Sequence, residues 1–214
     1  MKTIGSTIIM LALASSLFAD NGKELKLASP DGTHEIVFYQ KQVSPAVNEL
    51  CYRVDYKSQP VVNESRAGLE LDNRIWEMAL GVRNLKQPAC WMDNLEVDSV
   101  TYQPETNLTW QPLYGERSSV RDHYRAGTLC LSKKDNSGYR LNIEVRAYNE
   151  GVAFRYFFPE HPKAIFHKVV GDLTEYALPA GTKAWTEQWA QAFFERLNID
   201  DIKHPVERAL TFEL

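Results

Sequence analysis

An all-β fold of mainly antiparallel strands is what this sequence predicts, and three observations carry that expectation. Several runs alternate apolar and polar residues with period two, among them 50–56, 128–132 and 139–148. Short clusters of turn residues separate them: Ser29-Pro30-Asp31-Gly32, Ser58-Gln59-Pro60 and Asn149-Glu150-Gly151. Helical spacing is confined to Glu187–Leu197, where Trp189, Phe193 and Leu197 stand four apart.

Taken in order, Leu25-Lys26-Leu27 reads as a strand that ends at the turn Ser29–Gly32, with Pro and Gly where a tight turn uses them. His34–Tyr39 and Leu50–Tyr56 follow as strands, then the turn at Ser58-Gln59-Pro60 and the apolar pair Val61-Val62. Gly68–Asp72 is a further short strand, and Asn73–Leu95, with weaker periodicity, reads as a loop. The strand signal returns at Glu96. Thr128–Ser132 and Tyr139–Tyr148 flank a hairpin loop, Lys133–Gly138, with its glycine late. Asn149-Glu150-Gly151 turns the chain into Val152–Phe158, and Pro159 ends that strand. Three strands joined by short loops imply an antiparallel meander. Glu187–Leu197 fits a short helix or an extended excursion. Residues 208–214 place Leu210, Phe212 and Leu214 on one face and read as the start of a strand. If the sandwich is incomplete at that edge, the isolated chain is expected to self-associate.

Residues 1–19 have the form of a secretory signal: Lys2, an apolar stretch from Ile4 to Leu13, then small residues up to Ala19. Cleavage is expected after Ala19, with Ala14 as the fallback, and residues 20–214 form one exported domain, periplasmic or secreted, free of the membrane. The stretch is too short and wrongly flanked for a membrane span, and no cysteine follows it for lipid anchoring. Net charge is −4, spread without runs, and no basic patch with interleaved aromatics marks a nucleic-acid partner. Three cysteines, Cys51, Cys90 and Cys130, lie far apart without metal-type spacing. Alternation around Cys51 and Cys130 predicts buried free thiols.

Two polar stretches stand out. In 146–156 (R-A-Y-N-E-G-V-A-F-R-Y) alternation places Arg146 and Tyr148 on one face, Val145 and Ala147 on the other. Cross-strand Arg–Tyr pairing in a hairpin explains these residues without a ligand. In 110–124 (W-Q-P-L-Y-G-E-R-S-S-V-R-D-H-Y) Arg117, Arg121, Glu116 and Asp122 crowd around Gly115. Such a set either clamps an irregular connection through ion pairs or reaches toward a substrate, which makes Arg117, Arg121, Asp122 and His123 the substrate-side candidates. His123 lacks an adjacent Ser or Cys nucleophile signal and reads as a hydrogen-bonded loop residue rather than a catalytic base.

Together with Ser29–Gly32, Asp172-Leu173-Thr174-Glu175-Tyr176 and Gln191-Ala192-Phe193-Phe194-Glu195-Arg196, these stretches resemble the N-terminal domain of glycoside hydrolase family 97, the calcium-dependent α-glucosidases and α-galactosidases. The resemblance covers Leu25 to Leu214. It implies a β super-sandwich of the galactose-mutarotase type, set before a catalytic barrel that this sequence does not include. It also implies that Glu195 supplies a carboxylate to calcium at the barrel's active site, with Phe194 standing where tyrosine is frequent. The family's catalytic carboxylates lie in the barrel, so no residue here is assigned as catalytic. The chain alone is expected to be silent, its partners an α-linked carbohydrate and a barrel in cis or in trans. Two other roles fit the same residues: a free-standing carbohydrate-binding domain, with Trp185 and Trp189 as its platform, or a docking partner of a separately encoded barrel. Sandwiches of this type serve many roles.

Overall fold

The computed structural model describes residues 23–72, 88–135, 137–162, 167–207 and 209–214. The expected leader at 1–19 and most of the loop expected over 73–95 lie outside the described residues. Four consecutive strands, β1 (Leu25–Ala28), β2 (His34–Ser44), β3 (Val47–Tyr56) and β4 (Gln59–Arg66), form an antiparallel meander. After β5 (Leu69–Leu71) come β6 (Leu95–Tyr102), β7 (Thr106–Trp110), β8 (Val120–Lys133), β9 (Arg140–Tyr148) and β10 (Gly151–Phe157). They make a second antiparallel sheet in the order β10-β9-β8-β6, and β7 pairs with the opening residues of β8. Then β11 (Val169–Asp172) pairs with β5, and β12 (Lys183–Thr186) lies between β13 (Glu195–Asn198) and β14 (Thr211–Glu213).

The two large sheets bury their apolar faces against each other. Ile36 and Phe38 of β2, Leu50 and Tyr52 of β3, Leu129 and Leu131 of β8, and Leu141, Ile143 and Val145 of β9 belong to one continuous core. Period two is the cause: on β9, Leu141, Ile143, Val145 and Ala147 are buried while Arg140 and Arg146 face solvent. The rings of Phe38 and Phe154 meet edge-on at 5.1 Å and so join the sheets. Beside β4 and β5 the segment 168–177 runs antiparallel as a strap. Its bonds include Leu173 N–H to the Gly68 carbonyl (2.9 Å), Glu175 N–H to Arg66 (2.9 Å) and Tyr52 hydroxyl to the Glu175 carbonyl (2.6 Å).

The turn at Ser29–Gly32 forms as expected. Gly32, at φ 74°, donates its N–H to the Ser29 carbonyl. Asp31 Oδ1 accepts from the Ser29 hydroxyl (2.6 Å) and from the Thr33 amide (2.9 Å) and hydroxyl (2.8 Å). Those donors, the Ser29 hydroxyl first, hold its carboxyl down to about 2. A carboxyl depressed in the folded state contributes stability above its unfolded value, near 3.9, and loses that contribution as pH falls toward 2. Asp31→Asn should therefore flatten the acid limb of a pH–melting-temperature profile between pH 4 and 2, relative to wild type (about those limits). Superimposable limbs for the two proteins would remove this role.

Tertiary pairing decides three local points, among them the extended alternative over the helix at 187–197. The β3–β4 turn is Lys57-Ser58, both left-handed at φ 49° and 63° as a two-residue hairpin requires, so Gln59 and Pro60 open β4. Proline is tolerated there because β4 is the last strand of its sheet. In the turn at Asn149-Glu150-Gly151 the Asn149 Oδ1 accepts the Asp31 amide at 3.1 Å, which ties this turn to the one at Ser29–Gly32. Between Glu187 and Leu197 there is no helix. Ala192 donates to the Trp189 carbonyl in a tight turn (2.8 Å), and Glu195–Asn198 pairs with β12 instead. A helix would have needed a surface to cover the Trp189–Phe193 stripe, and Phe193 is 91% exposed. All three cysteines are free. Cys51 is buried, its thiol pushed up to about 11 by desolvation. Cys130 is only half-buried, because on β8 it falls on the outer face between Leu129 and Leu131.

Candidate functional site

Of the substrate-side candidates, only Arg117 sits in an irregular loop, exposed between β7 and β8. Arg121, Asp122 and His123 are strand residues at the start of β8, opposite Thr109, Leu108 and Asn107 of β7. Alternation then sends Asp122 to the opposite face from Arg121 and His123, and the four side chains do not converge. Arg121 Nε donates to Asn107 Oδ1 across the hairpin at 3.0 Å. Among the described residues, no ion pair joins Arg117 or Arg121 to Glu116 or Asp122.

The ion-pair clamp is built one turn away, around a residue the sequence did not single out. Glu105, in the β6–β7 connection, pairs with His123 Nε2 at 2.7 Å and with Arg125 Nε at 3.0 Å. The two partners hold its carboxyl below the usual range, His123 first. Arg125 also donates to the carbonyls of Ser29 (3.3 Å) and Pro30 (3.4 Å), which ties the hairpin to the first turn of the chain. The only sequence signal for Glu105 is its place beside Pro104 in a turn opposite a basic strand. His123 is hydrogen-bonded through Nε2 to Glu105, but it lies on strand β8 rather than in a loop.

Glu195 lies elsewhere, at the head of β13 on the small three-stranded sheet. That sheet is pinned by Glu213, which accepts from the Trp185 indole (3.3 Å) and pairs with Arg196. Glu195 itself is exposed, and among the described residues no hydrogen bond or ion pair engages its carboxylate. It lines a cleft of about 470 Å³ with Glu187, Trp189, Phe193, Asp201 and His204. Exposed aromatics surround it: Trp189, Phe193 and Phe194, the last 68% exposed. An exposed apolar rim of this kind is the type of surface that contacts another body.

Among the described residues, no three His, Cys, Asp or Glu side chains converge as a metal cluster. Glu195 offers an unengaged oxygen donor of the hard type calcium selects, but calcium takes six to eight oxygens. The chemistry of this donor therefore fits a shared site, to which this chain would bring one carboxylate and another body the rest.

Comparison with known proteins identifies the family of the chain. The family described as "Glycosyl-hydrolase 97 N-terminal" matches residues 27–213. A retaining alpha-galactosidase of Bacteroides thetaiotaomicron is 26% identical over 178 residues, covering 83% of this chain and 22% of the relative. Among solved structures, a glycoside hydrolase family 97 enzyme of Pseudoalteromonas sp. strain K8 in complex with acarbose superposes with TM-score 0.73 at 24% identity, over 88% of this chain and 26% of that one. A beta-arabinopyranosidase superposes with TM-score 0.62 at 18% identity, over 77% of this chain and 23% of that one. These likenesses show the β-sandwich fold, and the chain spans about a quarter of the length of each relative. With the family matched from residue 27 to residue 213, the chain belongs to the glycosyl-hydrolase 97 N-terminal family.

Proposed function

We propose that this chain is the N-terminal sandwich of an exported, calcium-dependent α-glycosidase of α-galactosidase or α-glucosidase type. Its task is to support the active site of a catalytic barrel, joined in cis or supplied in trans, and Glu195 is the carboxylate it lends to calcium there. Family membership and the name of the alpha-galactosidase relative support the substrate class. The observation that carries the reading is the state of Glu195: an unengaged carboxylate on a segment whose aromatic neighbours are left facing solvent. A body that covers Trp189, Phe193 and Phe194 would bring its own oxygens up to Glu195. The apolar stretch from Ile4 to Leu13, with the small residues that follow it up to Ala19, supports export.

In the protein joined to its catalytic region, Glu195→Gln should weaken calcium binding by about tenfold or more, read by calorimetry, since loss of one ligand charge lowers affinity at an oxygen site. The melting temperature of the calcium-free sandwich should not change, because the side chain has no partner among the described residues. Equal calcium affinity in the two proteins would remove Glu195 from the site.

A further inference from the structure

The outer face of the second sheet carries a groove of about 1000 Å³. Its floor is a cross-strand row, Ala126 of β8, Arg146 of β9 and Ala153 of β10. Two alanines leave open space on either side of the arginine. Arg146 has no carboxylate partner among the described residues. Its guanidinium lies 4.4 Å over the Tyr124 ring, and Nη1 donates to the Tyr148 hydroxyl at 3.4 Å. Tyr124 and Tyr148 themselves pack at 5.1 Å. The two carboxylates lining the groove are already neutralised: Glu144 by Arg155 at 2.6 Å, Glu105 by His123 and Arg125.

With both lining carboxylates paired, the Arg146 cation is the one charge among the described lining residues without an ionic partner; it is shared with the Tyr124 ring, and the rim keeps its hydrogen-bonding capacity. The free donors of the Arg146 fork are planar and spaced for two-point contact, and adjacent hydroxyls on a sugar ring present acceptors at matching separation. The alanine floor and the tyrosine ring edges suit the apolar C–H faces of the same rings. At about 1000 Å³ the space stands at the upper end of small-ligand sites, enough for more than one ring. We propose that this groove binds a neutral oligosaccharide, with Arg146 donating to vicinal hydroxyls, Tyr148 orienting the guanidinium and Ala126 and Ala153 bedding the ring. Binding there needs neither Glu195 nor calcium.

Titration of the chain with maltotriose and with melibiose, followed by calorimetry and by ¹⁵N chemical-shift mapping, tests this. At least one sugar should saturate in the millimolar range and shift amides of 124–128 and 144–155, with or without EDTA. Arg146→Ala should weaken binding about tenfold or more, the scale of a lost charged hydrogen bond. Ala153→Gln, at an exposed position of β10, fills the floor while leaving Arg146 in place, and should weaken binding equally even if Arg146→Ala disturbs folding. Trp189→Ala should leave affinity unchanged. No saturation by either sugar up to about 20 mM, full affinity in Ala153→Gln, loss in Trp189→Ala, or abolition by EDTA would each overturn the assignment.

Discussion

Phe38→Ala should destabilise the domain by about 3–5 kcal/mol, the range for removing a large aromatic from a packed core. Phe38 is fully buried, stacked on Tyr52 at 5.3 Å within its own sheet and edge-on to Phe154 at 5.1 Å across the sandwich. Truncation opens a void between the sheets that neither rigid partner ring can fill, so dispersion contacts with both rings are lost. Because single domains are stable by only about 5–15 kcal/mol, a shift of this size should be plain in a urea titration. Phe194→Ala is the matched control: the same deletion at a ring 68% exposed should change stability by less than about 0.5 kcal/mol. If the two variants lost similar stability, the division between sandwich core and exposed aromatic surface would be wrong.

Strand existence was legible where a sheet buries one face only, as β9 does; at the centre of the first sheet Val37 and Cys51 are buried on the opposite face as well. Period-two alternation at 128–132 and 139–148 is the direct imprint of such burial, and all three runs fall on strands, with Cys130 turned outward against expectation and Cys51 buried beside Leu50 and Tyr52. What local pattern could not report was pairing between segments distant in sequence. Four-apart spacing at Trp189, Phe193 and Leu197 imitates a helix, but β12 offers Glu195–Asn198 a ladder, while no element covers the other residues. The strap at 168–177 and the bridges of 88–94 to β3 and β5 are likewise held by backbone bonds, which carry no side-chain signature.

Site residues were legible to a smaller degree, for a similar reason. Arg121, Asp122 and His123 are close in sequence, but a strand sends neighbours to opposite faces, so proximity along the chain did not become convergence. The clamp needed Glu105 from another connection. Arg146 and Tyr148 were placed on one face by alternation, and that placement held, but the space around Arg146 depends on alanines from β8 and β10 that only the register brings alongside. Among the described residues Glu195 has no side-chain partner. An unengaged surface carboxylate looks the same in a sequence whether water or a cation faces it, and only the family pattern around 191–196 singled it out.

Gly68→Ala should cost about 3 kcal/mol, the high end for forcing one methyl group into close-packed structure. A Cβ at Gly68 would stand 2.6 Å from Met92 Cβ, 2.7 Å from the Trp91 carbonyl oxygen and 2.8 Å from Met92 Cα. Those atoms cannot retreat cheaply. The Trp91 amide is bonded to the Leu69 carbonyl and the Met92 carbonyl to the Leu50 amide, each at 2.8 Å, while Trp91 itself is fully buried. On its other side Gly68 accepts the Leu173 amide, the middle rung of the strap. The added methyl must therefore push either the 88–94 segment off β3 and β5 or Gly68 off the strap. Hydrogen exchange distinguishes these outcomes from a diffuse loss of stability. Amides of Leu50, Trp91 and Leu173 should lose protection in Gly68→Ala well before the β8–β9 amides do, since opening one flank costs less than opening the sandwich. A variant within about 0.5 kcal/mol of wild type, with protection unchanged at those three amides, would mean that the backbones do not approach as closely as 2.6–2.8 Å implies.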